Sequence, residues 1–195
     1  MTFFTRLLIC LSLSLLLPAA AWAETYRVDV IVFLNKSGTD GELGRSSSSV
    51  DMSHAIALSD TAALAAAGIT VLPDSDFGLD SEWSHLRYAK GFQPLLRLCW
   101  IQKDPPESNG PALHVRWGEG FVGGSASLSP VDGTLSLLAG HYLHLDADLV
   151  YTQDNGNGGY SSYRLRENRL MRRDEIHHLD SPRLGILARV TRAGS

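Results

Sequence analysis

Cysteine is scarce in this chain. The 195 residues hold two, Cys10 and Cys99, and Cys10 falls in an apolar run near the N-terminus. One thiol is left for the folded part, so an internal disulfide is excluded. Cys99 lies inside Leu95-Leu96-Arg97-Leu98-Cys99-Trp100-Ile101, a setting that makes it a small buried hydrophobe and not a nucleophile. Signatures of nucleophilic and metal-dependent catalysis are also missing, with no GxSxG, no SxxK and no HExxH. The glycine runs at 118–124 and 156–159 lack the strand, lysine and helix that make a phosphate cradle. The chain is expected to be no enzyme and to need no cofactor. An excess of positive charge is absent as well, since the net charge is −4, which argues against a nucleic-acid partner.

Long apolar runs are missing after the first residues. Arg6, the apolar stretch 7–17 and the small-x-small site Ala21-Trp22-Ala23 have the three-part form of a secretory leader. That stretch is shorter than the ~20 apolar residues a spanning helix requires. Bulky Ile9 before Cys10, with apolar residues continuing after it, does not fit a lipid-attachment site. Residues 1–23 are therefore expected to be a signal peptide cleaved after Ala23. The mature protein then begins at Glu24, is exported, and has no membrane insertion.

The remainder, about 170 residues, is the size of one domain with a single core. Residues 26–34 alternate, with Val28, Val30, Val32 and Leu34 on one side and Arg27, Asp29, Ile31 and Phe33 on the other, which predicts a strand inside a sheet. Residues 35–54, rich in Gly and Ser, read as a loop. An Ala-rich helix is expected over 58–67, stopped by Gly68. A second begins near a cap at Asp80 or Ser81, carries Trp83, Leu86 and Ala89 on one stripe, and ends at Gly91. A central strand follows over 92–102. Shorter strands are expected at 113–117, 121–128, 134–139, 142–152, 160–170 and 185–190, with a hairpin turn at 154–159 and a helical turn at 172–178. The fold class is α+β: one domain, a mostly antiparallel β-sheet, and two helices in the N-terminal half.

Charge is distributed unevenly. Residues 24–159 carry 8 Lys+Arg against 17 Asp+Glu, a balance of −9, whereas residues 160–195 carry 8 Arg against 4 acids, a balance of +4. Arg164, Arg166, Arg169, Arg172 and Arg173 fall within ten residues. A guanidinium fork matches carboxylate and phosphate, so the cluster is either an anion site or a solvated face whose arginines pair with Glu167, Asp174, Glu175 or Asp180. Tyr160 and Tyr163 are the nearest aromatics; Trp83 and Trp100 read as core, and Trp117 stays open. His144, Asp146 and Asp148 share the wet face of one strand, spaced too far apart to close a tetrahedral metal site unaided. His177, His178 and Asp180 read as a structural turn before Pro182.

Several stretches follow the pattern of a known family. These are the opening strand Tyr26-Arg27-Val28-Asp29-Val30-Ile31-Val32-Phe33; the central Phe92, Leu95, Leu96, Trp100 and Gln102; and the closing Arg169, Met171, Arg172, Glu175, His177, Asp180 and Pro182. On these residues the chain resembles the CsiV-type peptidoglycan-binding proteins of Gram-negative bacteria. It departs from their pattern with Arg97 and Ser181 at positions usually histidine, Leu170 at an arginine and His178 at an aromatic. The resemblance implies a periplasmic, non-catalytic protein that binds peptidoglycan and supports cell-wall synthesis. Free carboxylates of stem peptides suit arginine forks, and sugar faces suit exposed aromatics. The expected ligand-binding residues are Arg164, Arg166, Arg172, Arg173, Tyr160, Tyr163, His177 and Asp180. The alternative is an accessory that docks on a cell-wall synthase or its activator without touching glycan.

Overall fold

The computed structural model describes residues 24–38, 49–118, 120–122, 125–128, 130–154 and 159–194. The leader, the middle of the Gly/Ser loop, part of the 118–124 glycine run and the tip of the 154–159 turn lie outside the described residues. The chain opens with β1 (Thr25–Asn35), β2 (Ala55–Ala57), α1 (Thr61–Ala66), β3 (Ile69–Val71), a 3-10 turn (Asp74–Asp76) and α2 (Asp80–Tyr88). It continues with β4 (Phe92–Lys103), β5 (Ala112–Trp117), β6 (Gly120–Val122), β7 (Ser125–Leu128) and β8 (Val131–Ala139). It closes with β9 (Leu143–Asp154), β10 (Tyr160–Met171), β11 (Ile176–Asp180) and β12 (Leu184–Arg192). The α+β class holds.

The long strands divide between two five-stranded sheets. The first runs β11-β12-β1-β4-β3 with every neighbour antiparallel. The second runs β10-β9-β8-β5-β2, antiparallel apart from the short parallel pair β2–β5. β6 and β7 form a small hairpin of their own.

Period-two alternation builds the core. Val28, Val30, Val32 and Trp100 point from the first sheet, and Leu135, Leu137, Leu145, Leu149 and Leu165 from the second, into one shared cluster. Each of these side chains is removed from water, and at ~25 cal/mol per Å² such burial is the main force holding the sheets together. β1 is covered on its other face too. Ile31 and Phe33, with Cys99 of β4, lie under Phe77 and Leu79, from the segment between the 3-10 turn and α2, and under Trp83 and Leu86 of α2. The expectation that β1 sits inside a sheet is thus met on both faces.

Three local expectations are corrected. Residues 172–178 do not form a helical turn: Ile176–Asp180 is β11, paired along β12 from Ile176↔Arg189 to Asp180↔Gly185, with Leu179 fully buried. That pairing satisfies the edge of β12 and buries a leucine, which a single helical turn cannot do. The start of α2 carries no side-chain cap, because the capping position is Leu79; Asp80 stands in the first turn with its carboxylate taken by Arg97 Nη1 at 2.7 Å. The strand expected at 121–128 is split into β6 and β7. Asp60 does cap α1, accepting from the Ala63 N–H at 3.0 Å.

Candidate functional site

The chain crosses from the second sheet to the first at residues 172–175, between β10 and β11. Asp174 turns the backbone there with φ 66°, a left-handed conformation that Asp tolerates better than most side chains. The Asp174 N–H donates to the Val190 carbonyl at 2.9 Å, tying the turn to β12. The Arg172 N–H donates to His177 Nε2 at 2.9 Å, which fixes the turn from its other side. Both arginine side chains are left pointing to water. Arg172 is 73% exposed, with its nearest carboxylate, Glu175, at 3.9 Å. Arg173 is exposed, and no carboxylate lies within ion-pair distance of it among the described residues.

These arginines form one wall of a cleft of about 470 Å³ at the open end of the two sheets. The opposite wall is the β8–β9 turn, Gly140-His141-Tyr142. Tyr142 is 58% exposed, and the His141 ring meets it edge-on with centroids 4.5 Å apart. The floor is the joined start of β1 and end of β12, where Arg192 pairs with Glu24 and the Tyr26 hydroxyl donates to the same carboxylate. The Tyr26 hydrogen bond holds the Glu24 carboxyl below its ordinary value, with Arg192 and Arg173 adding to the effect. Arg172, Arg173 and Arg192 thus line a cleft that also holds the Glu24 carboxylate, and with them stands an aromatic pair presented to solvent. Such a cleft suits an anionic ligand that also carries a ring or sugar face.

The sequence-expected residues are not brought to one place. Arg172 and Arg173 line the cleft. His177 lies behind them and holds the Arg172 backbone. Arg164 and Arg166 do share a face of β10, but on the outside of the second sheet. Arg164 is bound there to Asp148 by two bonds of 2.6 Å, and the ion pair raises its pKa. Arg166 is 75% exposed. Tyr160 is also exposed on that face. Tyr163 is not the exposed aromatic that was expected: it is 4% exposed, with the Arg183 guanidinium 5.3 Å over its ring. It shares β10 parity with Leu165, and that parity was the sequence signal for its burial. Asp180 is exposed beside Pro182 at a separate shallow depression.

Comparison with known families is decisive at this point. A family model described as peptidoglycan-binding protein CsiV matches residues 2–193. The chain belongs to the CsiV family. No curated protein and no solved structure gives a significant match. The closing motif of this CsiV-family chain supplies Met171 and Arg172 to the cleft lining, and His177 behind them holds the Arg172 backbone.

Departures from the family pattern have structural readings. Arg97, at a usual histidine, pairs with Asp74 and Asp80 and lies over the Phe77 and Trp83 rings at 5.1 and 5.4 Å. It clamps the 3-10 turn and α2 onto the first sheet. Cys99, beneath that clamp, is 2% exposed, and burial followed by the nearby Asp29 charge pushes its thiol pKa up. Among the described residues no group of three His, Cys, Asp or Glu side chains is arranged to hold a metal, and no helix is long and apolar enough to cross a membrane. Sequence reasoning missed Tyr142, His141, Glu24 and Arg192 as cleft residues. An exposed tyrosine in a turn opened by Gly140 was the one available signal.

Proposed function

We propose that this CsiV-family protein is a non-catalytic, periplasmic wall-binding protein that grips peptidoglycan in the corner cleft and thereby supports cell-wall synthesis. Arg172 and Arg173 take stem-peptide carboxylates, and Tyr142 with His141 offers a stacking face to a sugar ring. The observation that carries this reading is the pair of solvent-presented guanidinium groups facing a solvent-presented aromatic pair across one cleft. His177 is a positioning residue: it holds the turn and touches no ligand. Leader cleavage after Ala23 is part of the reading.

The test is co-sedimentation of protein beginning at Glu24 with purified sacculi. Charge-assisted hydrogen bonds contribute ~1.5–3 kcal/mol each when well formed. The double variant Arg172→Ala/Arg173→Ala is expected to bind at least ~10-fold more weakly, equivalent to ~1.4 kcal/mol, with melting temperature nearly unchanged. Raising salt should weaken the wild type in parallel. Unchanged sedimentation of the double variant would remove the cleft from the site. Absence of wild-type sedimentation would move the function to docking on a synthase or its activator.

A further inference from the structure

The outer face of the second sheet carries a groove of about 400 Å³ that is separate from the cleft, walled by residues 51–54 and 108–110. Strand register sets its floor as two rungs: Arg166–Asp148–Thr134, and one step along the strands Asn168–Asp146–Ser136. The charges on these rungs are unequally satisfied. Asp148 is already held by Arg164 through two bonds of 2.6 Å. Arg166 therefore reaches it only at 3.9 Å and remains 75% exposed, with guanidinium donors open to the groove. Asp146 is exposed and takes one long 3.4 Å bond from the Asn168 amide. Among the described residues no ion pair joins Asp146 to Arg166. A cation with open donors thus stands diagonal to an anion with open acceptors, at the ~7–8 Å spacing of diagonal same-face neighbours.

The mixture of charges narrows the ligand. Phosphate meets repulsion from Asp146, Asp148 and Asp51, and a bare metal cation meets Arg166. Among the described residues the groove lining carries no Tyr, Trp or Phe on which a sugar face could stack. What matches is a small group carrying both signs.

We propose that this groove is a second binding site, for a zwitterionic amino-acid head whose ammonium meets Asp146 and whose carboxylate meets Arg166. A head of this kind stands at the free end of a diamino acid in a wall stem peptide, and also on any free amino acid. The wall-binding reading supplies only the source of the head; its chemistry follows from the two rungs.

The probes are a soluble disaccharide-tripeptide ending in meso-diaminopimelate, the same compound acetylated on its free ammonium, and free meso-diaminopimelate. Each is titrated into protein beginning at Glu24, with affinity read by calorimetry and location by NMR. The unmodified tripeptide should shift the resonances of Asp146, Arg166 and Ser136, and acetylation should weaken binding at least ~10-fold. Asp146→Asn should abolish the difference between the two forms. Free diaminopimelate binding more tightly than the tripeptide would assign the groove to free amino acids; weaker binding on the same resonances would assign it to the wall. Equal affinity for the acetylated and free forms, or shifts confined to the cleft, would overturn the proposal. The Arg172→Ala/Arg173→Ala variant separates the two sites. If it loses sacculus binding while acetylation has no effect on the wild type, the cleft stands and the groove falls. If it keeps its sensitivity to acetylation, the groove acts independently.

Discussion

Arginines on the covered face of the first sheet and arginines at its corner meet opposite fates. On the covered face, Asp29 is fully buried on β1 and binds Arg27 through bonds of 3.0 and 2.9 Å, with Arg189 at 3.6 Å. Its Oδ1 also accepts the Gly78 N–H at 2.8 Å, and Arg189 donates to the Gly78 carbonyl at 2.7 Å. A Cβ at Gly78 would lie 2.5 Å from Arg189 Nη2 and 2.9 Å from Asp29 Oδ2, so a side chain there would push these ion-pair atoms aside. These arginines are consumed in fastening the segment before α2 to the sheet. At the corner, Arg172 meets Glu175 only at 3.9 Å, and among the described residues no carboxylate pairs with Arg173. Local sequence is no guide to the difference: Arg27 looks as exposed as Arg173 until the cross-strand partner is known. An arginine becomes available to a ligand where the fold leaves it without an anion.

That contrast breaks most visibly at Asp29. Replacing it with Ala takes the shared carboxylate from Arg27 and Arg189 and the acceptor from the Gly78 N–H, at an expected cost of about 3 kcal/mol. This is the lower end for a broken buried pair, because both arginines keep some contact with water. Chemical denaturation measures the loss, and sacculus binding by the fraction still folded should not change. An effect below measurement would mean the covered network is not fastening α2. β10 gives a smaller, paired test. Arg164→Ala strips the largely buried Asp148 of its bidentate partner and should cost about 1–2 kcal/mol. Arg166→Ala, two residues along the same face, should stay within about 0.5 kcal/mol of wild type. Equal costs would mean that the two are shared partners of one carboxylate and that Arg166 is not on offer to a ligand.

The smallest effect concerns pH. Glu24 has a depressed folded pKa, so its contribution is present above the ordinary glutamate value of 4.5 and is lost as pH falls through the lower folded value. Below 4.5 the melting temperature of the wild type should fall more steeply than that of Glu24→Gln. Parallel curves would show that the carboxylate makes no net contribution to holding β1 and β12 together at the cleft floor.

Strands were legible wherever alternation was local. The row His144, Asp146, Asp148 against Leu145, Ala147, Leu149 gave the two faces of β9 directly, and the pairing of β9 with β10 across the 154–159 turn followed from chain proximity. Illegible features depended on distant partners. β11 has no clear alternation in Ile176-His177-His178-Leu179-Asp180 and is a strand because β12 offers it an edge. The division into two sheets could not be read, since it depends on which strands pair across more than a hundred residues, as β1 does with β12. The arginine cluster was read correctly as dense, but its separation into a consumed Arg164, a groove residue Arg166 and the cleft pair depends on Asp148, 16 positions before Arg164. Tyr142 escaped notice as a site residue because the alternation placed it in the strand expected at 142–152, whereas it stands in the turn before β9.

The joined floor of the cleft has a practical side. Glu24 opens the described chain, Arg192 lies near its end, and their side chains meet in the cleft. The Ala193 N–H donates to the Thr25 carbonyl at 2.9 Å, so both ends of the described chain lie at the same corner. An affinity tag or fluorescent fusion joined directly before Glu24 or after Gly194 therefore hangs beside the mouth of the cleft and competes with large ligands for it. The turn between β9 and β10 opens at the far end of two 12-residue strands, about 40 Å away at ~3.3 Å per residue. Insertion there keeps a reporter clear of the cleft, and a terminal tag that depresses sacculus binding while an inserted one does not would itself map the site.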